Sequence, residues 1–123
     1  MRRALGLLAA TAVLAAPAAA AARPTAVGVG EREWRIALYR PWVPAGLVKF
    51  NAKNFGEDGH DLVVRNSRGV VRARLPEIEP GATASVTGRL LRGGRYTVYC
   101  SLTGHLELGM RAVLRVRAPR SRA

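Results

Sequence analysis

The residues with the clearest capacity for chemistry lie in one short segment, residues 99–110. It reads Tyr-Cys-Ser-Leu-Thr-Gly-His-Leu-Glu-Leu-Gly-Met and holds the chain's only cysteine, Cys100, followed at intervals of five by His105 and Met110. A thiolate, an imidazole and a thioether are ligands that suit soft metal ions. A fourth ligand is missing from the segment, and the only other histidine, His60, lies forty residues upstream of the cysteine.

Short strands are predicted on both sides of this segment. Polar and apolar side chains alternate, wholly or in part, with a period near two, and Gly- or Pro-containing turn signals recur about every ten residues. The predicted strands cover residues 33–39, 47–54, 60–65, 70–75, 83–91, 96–99 and 112–116. No stretch of helical period follows the N-terminal segment. The pattern predicts an all-β sandwich or barrel of about seven or eight strands, with residues 23–30 as a lead-in that is loose at its start and Trp34 in the core.

The first 22 residues have the three regions of a secretory signal peptide. Arg2 and Arg3 precede an apolar run over residues 4–16, and Pro17 and a series of alanines follow. The run is shorter than the roughly 20 residues of a membrane span, so we expect cleavage near Ala22 rather than an uncleaved anchor. The Sec and twin-arginine routes both stay open. We therefore predict a protein exported to the bacterial periplasm, with no stable membrane insertion. One domain is expected over residues 23–123, ending in a basic tail from Arg117.

The cysteine count fits this prediction in an informative way. A single cysteine cannot form an internal disulfide, although exported small domains often contain paired cysteines. An unpaired thiol in such a protein is either a reactive group or a ligand. In a sandwich, the strand that starts at His60 and the loop that follows Cys100 can meet at one end. Two histidines, a cysteine and a weakly bound methionine are the ligand set of a blue-copper electron-transfer site, whereas zinc prefers a closed set of His and Cys.

Positive charge dominates the composition. The chain has 20 Lys and Arg against 8 Asp and Glu, and without Arg2 and Arg3 the predicted domain has 18 against 8, a net charge of +10. Many arginines alternate with apolar residues, as in residues 111–117, which is typical of a solvated sheet face. The functional interpretation is electrostatic steering toward an acidic partner or membrane surface. Nucleic acid is not expected, because an exported chain has little contact with it and the aromatic residues do not alternate with the arginines.

Residues 96–110 resemble the copper loop of the cupredoxins, the superfamily of small blue-copper proteins that includes plastocyanin and azurin. Residues 46–64 are similar to the family's segment around the first histidine ligand, and the resemblance covers roughly residues 33–117. It implies a Greek-key β-sandwich with one type 1 copper ion, bound equatorially by His60, Cys100 and His105 and axially by Met110. The family often has Asn after its first histidine. Here Asp61 follows, and we expect it to accept a hydrogen bond from Ser101.

The expected function is one-electron transfer between redox partners by a monomer that transforms no substrate and is not an enzyme. Acidic redox proteins are the expected partners, docking at the exposed edge of His105. The apolar residues that could surround this edge are Leu102, Leu106, Leu108 and Trp42. A copper carrier or resistance protein is one alternative, although the Met- or His-rich tracts typical of such proteins are absent. A cupredoxin-like interaction module of an oxidase is the other.

Overall fold

The computed structural model describes residues 10–17 and 23–119. Residues 10–17 have no regular secondary structure and are exposed. The remainder of the predicted signal peptide, residues 1–9 and 18–22, and the end of the predicted basic tail, residues 120–123, lie outside the described residues. Within the two described ranges, no helix of the length and hydropathy needed to cross a membrane is present.

Nine strands build the domain, which confirms the all-β prediction and exceeds the expected number of strands slightly. They are β1 (Thr25–Arg32), β2 (Arg35–Leu38), β3 (Trp42–Pro44), β4 (Gly46–Asn54), β5 (His60–Arg65), β6 (Val71–Ile78), β7 (Thr83–Leu90), β8 (Gly94–Tyr99) and β9 (Arg111–Arg117). They form a four-stranded sheet in the order β2-β1-β4-β7 and a five-stranded sheet in the order β3-β9-β8-β5-β6. The two sheets pack face to face as a sandwich.

Strand β1 corrects the prediction that residues 23–30 are a lead-in to the first strand, because the strand already starts at Thr25. It lies inside the four-stranded sheet and pairs in parallel with β4, and its Val27 and Val29 are buried in the core. The alternating Gly28 and Gly30 leave room for the ring of Tyr39. A Cβ on Gly28 would lie 2.7 Å from Tyr39 Cδ2, and one on Gly30 would lie 2.8 Å from the Tyr39 hydroxyl. These glycines therefore permit close packing within a strand rather than a turn.

The strand predicted over residues 33–39 is shorter than expected, because Glu33 and Trp34 form the turn between β1 and β2. The Trp34 side chain is 37% exposed, so the prediction that it is a core residue is wrong. Strand β3 was not expected, because Pro41 and Pro44 flank its centre. It lies at the edge of the five-stranded sheet, where a proline is tolerated, and pairs in parallel with β9.

The core fills the space between the sheets and fixes the ends of β5 and β8. The fully buried side chains include Phe50 from β4, Leu62 from β5 and Leu114 from β9. Strands β5 and β8 are antiparallel neighbours, with Val63 opposite Tyr99. The start of β5 and the end of β8 therefore lie at the same end of the sandwich, which we call the metal end.

Candidate metal centre

Strands β5 and β8 bring the predicted ligands together. His60 is the first residue of β5, and Cys100 directly follows the last residue of β8. The loop from residue 101 to residue 110 returns to β9 through a series of turns closed by backbone hydrogen bonds. The N–H of Met110 donates to the carbonyl of His105 (3.0 Å), and the N–H of Cys100 donates to the carbonyl of Met110 (3.1 Å). The backbone thus holds all three loop residues in one compact unit.

Three donor atoms converge at this end. One ligand atom from each of His60, Cys100 and His105 lies within 4.8 Å of the others. The Nδ1 atoms of the two histidines are 3.2 Å apart, and Cys100 Sγ is 3.5 Å from His105 Nδ1. Met110 is fully buried at the end of the loop. The structure therefore groups the four residues that the sequence singled out.

Burial controls the state of the cysteine. Cys100 is fully buried, and burial raises the pKa of its thiol to about 11, outweighing the hydrogen bonds from the Leu102 and Asp61 backbones that lower it. Without a metal ion the thiol is neutral at neutral pH. Because the thiolate is the ligand form, a bound metal must displace this proton.

Glu33, at the β1–β2 turn, orients His60. Glu33 was not among the residues predicted from the sequence to belong to the site. Its Oε1 lies 2.9 Å from His60 Nε2, while the carboxylate accepts hydrogen bonds from the N–H groups of Asp58 (2.8 Å) and Glu57 (3.0 Å). The hydrogen bond from the Asp58 backbone is the main reason that the pKa of Glu33 is lowered to about 2, and the hydrogen bonds from the Glu57 backbone and from His60 lower it further. Glu33 is therefore a carboxylate at neutral pH. When His60 Nε2–H donates to this carboxylate, Nδ1 is left free to bind a metal.

The neighbouring Trp34 contacts the second histidine. Its ring centroid lies 4.9 Å from that of His105 in an edge-to-face arrangement. A Cβ on Gly109 would lie 3.0 Å from the backbone oxygen of Trp34, and Gly109 has φ +118°, so both the close approach and the backbone conformation favour glycine. The two-residue turn of Glu33 and Trp34 thus supports both histidines. The only sequence signal for it is a polar-aromatic pair at the start of the strand predicted over residues 33–39.

The apolar surface around His105 differs from the predicted one in one residue. Leu102 and Leu106 are half-buried, Leu108 is 57% exposed, and Trp34 lies beside the His105 ring. We call these four residues the His105 surface. Trp42, predicted here, lies instead on β3 opposite Arg115, with the guanidinium of Arg117 3.9 Å from its ring centroid. That part of the prediction is wrong, because β3 pairs with the half of β9 that is remote from the metal end.

The predicted contact between Asp61 and Ser101 is confirmed. Asp61 is buried beside His60, and its Oδ1 accepts a hydrogen bond from the Ser101 N–H at 2.6 Å. The Ser101 hydroxyl donates to the other carboxylate oxygen. The contact links the start of β5 to the residue after Cys100, so it fixes the two halves of the metal centre relative to each other.

We expect Ser101→Ala to lower the free energy of unfolding by about 1.5 kcal/mol, because it removes a hydrogen bond to a carboxylate. Ser85→Ala is the matched control, since the Ser85 hydroxyl donates to a neutral amide, Asn51 Oδ1, at an exposed site. We expect a smaller loss there. Urea unfolding of both variants measures the difference, and equal losses would show that the Asp61 contact adds nothing to stability.

The donor set fits one type 1 copper ion. Two imidazole nitrogens and a sulfur lie close enough to bind the same ion. Met110, which is hydrogen-bonded through its backbone to Cys100 and His105 and is fully buried, adds a thioether. Thiolate and thioether favour copper, and imidazole binds both of its oxidation states. A structural zinc site is usually closed by four His or Cys ligands and is not expected to use methionine.

The fold has close counterparts among solved structures. An azurin (Az-iso2) from Methylomonas sp. strain J aligns with a TM-score of 0.64 and 21% identity, covering 76% of this chain and 98% of that one. Auracyanin B aligns with a TM-score of 0.69 and 19% identity over 80% and 93% of the two chains. Auracyanin A from Chloroflexus aurantiacus, described as a "blue" copper protein, aligns with a TM-score of 0.62 and 18% identity, covering 77% of this chain and 100% of that one.

No protein-family model and no curated protein sequence matches this chain. At these identities the structural likeness establishes the fold, and the ligand cluster supplies the chemistry. The sandwich and its His-Cys-His-Met cluster define a small cupredoxin-like protein. More particularly, this chain has the cupredoxin fold of the azurins and auracyanins, with donor residues that fit a single type 1 copper ion.

Proposed function

We propose that this protein is an exported one-electron carrier that binds a single type 1 copper ion through His60, Cys100, His105 and Met110. The convergence of two Nδ1 atoms and one buried sulfur at the metal end carries the proposal. When bound, the copper ion supplies the one-electron couple between Cu(II) and Cu(I). The protein transforms no substrate. Residues 1–22 act as the signal peptide that directs it to the periplasm.

Burial and the neighbouring residues hold the four ligands in place. His60, Cys100 and Met110 are fully buried and exclude water from the site. Glu33 orients His60, and Asp61 with Ser101 fixes the adjacent backbone. These contacts limit the movement of the ligands between oxidation states, which lowers the reorganisation that electron transfer requires. His105 is only partly buried and is the ligand that reaches the surface.

The His105 surface is the proposed contact with redox partners. Trp34 packs against the His105 ring, and the three leucines lie on the same loop as this half-buried ligand, so electrons would leave and enter through the exposed edge of the ring. Arg35, beside the β1–β2 turn, and Arg111, directly after the loop, are exposed at the same end and supply positive charge for an acidic partner, although the acidic residues of the chain also lie at this end. Such a complex is small and short-lived, as is typical of electron-transfer partners, and the carrier works as a monomer.

Titration with Cu(II) followed by reversible reduction tests this function. We expect an intense charge-transfer absorption in the visible range at one equivalent of copper, bleaching with ascorbate and recovery with an oxidant. Cys100→Ala should abolish the absorption, because the thiolate is its source, whereas Ser101→Ala, which keeps all four ligands, should retain it. A colourless complex of low affinity would contradict the proposal and favour an interaction module. Tight binding without reversible redox change would favour copper delivery.

A further inference from the structure

Two arginine-containing loops lie at the end of the sandwich opposite the metal end. One joins β5 to β6 over residues 66–70, and the other joins β7 to β8 over residues 91–93. Because β5 starts at His60 and β8 ends beside Cys100, the far ends of these strands lie away from the copper ligands. We call this region the arginine end.

The two loops enclose a basic cleft of about 320 Å³. Its walls include Arg68, Arg72, Arg92 and Arg95, and an adjoining cleft of about 180 Å³ adds Arg89. Neither cleft is lined by an acidic residue. The one ion pair found within residues 10–17 and 23–119 joins His60 to Glu33, so none of these arginines has a carboxylate oxygen of that part of the chain within 4.0 Å.

Charge is separated along the sandwich. All eight acidic residues lie on the strand ends and loops of the metal end: Glu31, Glu33, Glu57, Asp58, Asp61, Glu77, Glu79 and Glu107. The arginine end therefore presents positive charge with no internal counterion nearby. Such a surface attracts an anionic partner over distances up to the Debye length, about 10 Å at 0.1 M salt.

Both loops are held in place by specific contacts. Asn66 Oδ1 accepts hydrogen bonds from the N–H groups of Arg68 (3.0 Å) and Val70 (2.9 Å). The Tyr96 hydroxyl donates to the carbonyl of Arg92 at 2.9 Å. A Cβ on Gly93 would lie 2.7 Å from the backbone nitrogen of Ala118, so this loop packs against the chain that follows β9. The arginines are thus presented by ordered turns.

Exposed apolar side chains accompany the arginines. Val70 is 45% exposed, Val71 41% and Leu91 59%. Lys or Arg beside exposed apolar residues is typical of surfaces that lie on anionic membranes, where the cations bind headgroups and the apolar side chains enter the interface. An acidic protein surface would match the positive charges but not these three exposed apolar side chains.

The start of β1 and the end of β9 also lie at the arginine end. The start of β1 pairs with β4 at Thr25 and Val48, near the arginine end, so the chain reaches the sandwich from that side. The last strand also ends there, with Val116 opposite Gly94, and the tail that follows contains Arg120 and Arg122.

We propose that the arginine end docks the domain on anionic phospholipid headgroups, with a lipid phosphate in the cleft and Val70 and Leu91 at the acyl boundary. Strands of eight residues span roughly 26 Å, so docking in this orientation leaves the metal end facing away from the membrane. His105 stays accessible to a partner while the protein is bound. This inference holds whether or not the metal end transfers electrons.

Vesicle sedimentation tests it with the chain starting at Arg23, because all nine strands lie within residues 25–117. We expect binding to vesicles of equal parts phosphatidylcholine and phosphatidylglycerol, little binding to phosphatidylcholine alone, and loss of binding at high salt. Arg68→Ser, Arg72→Ser and Arg92→Ser together should weaken binding on the order of 100-fold, at about fivefold for each arginine. Leu91→Ser should weaken it further without changing its salt dependence.

The matched control combines Arg35→Ser, Lys49→Ser and Lys53→Ser, which removes the same charge from exposed residues of the other sheet. Far-UV circular dichroism confirms that each variant is folded. Equal losses in the control and the arginine variant would overturn the proposal in favour of a net-charge effect. Equal binding to both vesicle types would overturn it as well. Retention on immobilised polyglutamate through the same three arginines, without vesicle binding, would instead assign the surface to an acidic protein.

Discussion

Glu33→Ala is expected to weaken Cu(II) binding by about 10- to 100-fold, the range found when a residue that orients a metal ligand is removed. The variant leaves His60 Nε2 without its acceptor at 2.9 Å and the N–H groups of Glu57 and Asp58 without theirs. The imidazole ring then loses its fixed orientation and tautomer. Competition with a copper chelator of known affinity measures the loss.

Glu33→Gln separates the hydrogen bond from the charge. The glutamine oxygen can still accept a hydrogen bond from His60, so we expect an affinity between those of the native protein and Glu33→Ala. Loss of the negative charge destabilises Cu(II) more than Cu(I), because the ion with the higher charge gains more from a nearby carboxylate. The reduction potential should therefore rise in Glu33→Gln, as voltammetry can show.

Glu57→Gln is the control for these variants. Only the backbone N–H of Glu57 reaches the Glu33 carboxylate, so this change removes a charge from the same region and leaves the contact with His60 intact. If both glutamine variants shift the potential equally, Glu33 acts only as a distant charge. A second measurement needs no copper: nitrogen NMR of His60 in the metal-free protein should report Nε2–H in the native chain and a mixture of tautomers in Glu33→Ala.

The sequence singled out the four candidate ligands because the chain has only one cysteine, two histidines and two methionines, one of them Met1. Cys100, His105 and Met110 stand at regular intervals next to a predicted strand, and His60 is the only remaining histidine, so few combinations were possible. The link between Asp61 and Ser101 was also predictable, since each residue directly follows a predicted ligand. Residue type and position next to the ligands carried this information.

The supporting turn could not be predicted in the same way. Glu33 lies 27 residues before His60, and its carboxylate is recruited by backbone N–H groups whose direction depends on the loop after β4. Trp34 belonged to a partly alternating pattern that predicted a strand with one exposed face and Trp34 in the core. The glycines in β1 indicated a loop, whereas Tyr39 fills the space that they leave. Each of these errors arises where a distant segment determines what a local pattern means.

Glu31 is a buried carboxyl group whose environment predicts a strong pH dependence of stability. It is fully buried on β1, and neither of its carboxyl oxygens has a hydrogen-bond partner within the described parts of the chain. Burial, with a further contribution from the nearby charge of Asp61, raises the pKa of Glu31 from 4.5 to about 8. The group is therefore protonated in the folded protein at neutral pH and ionised in the unfolded chain.

We expect the free energy of unfolding of the metal-free protein to fall as pH rises from about 4.5 to about 8, the window set by the two pKa values of Glu31. The sign follows because the folded state keeps a proton that the unfolded state has released, so each added pH unit costs about 1.4 kcal/mol. This contribution is complete below pH 4.5 and lost above pH 8. Urea unfolding across this range measures the slope.

Glu31→Gln isolates the contribution of this one group from that of every other titratable group in the chain. Glutamine is neutral throughout, so the variant should have a flatter profile than the native protein and should exceed its stability at pH 8. Glu31→Leu removes the buried polar group altogether and should share the flat profile. Glu79→Gln, at an exposed acid on the same end, should keep the native slope. If native protein and Glu31→Gln lose stability equally with pH, the Glu31 carboxyl is ionised in the fold and the sandwich must open locally to hydrate it.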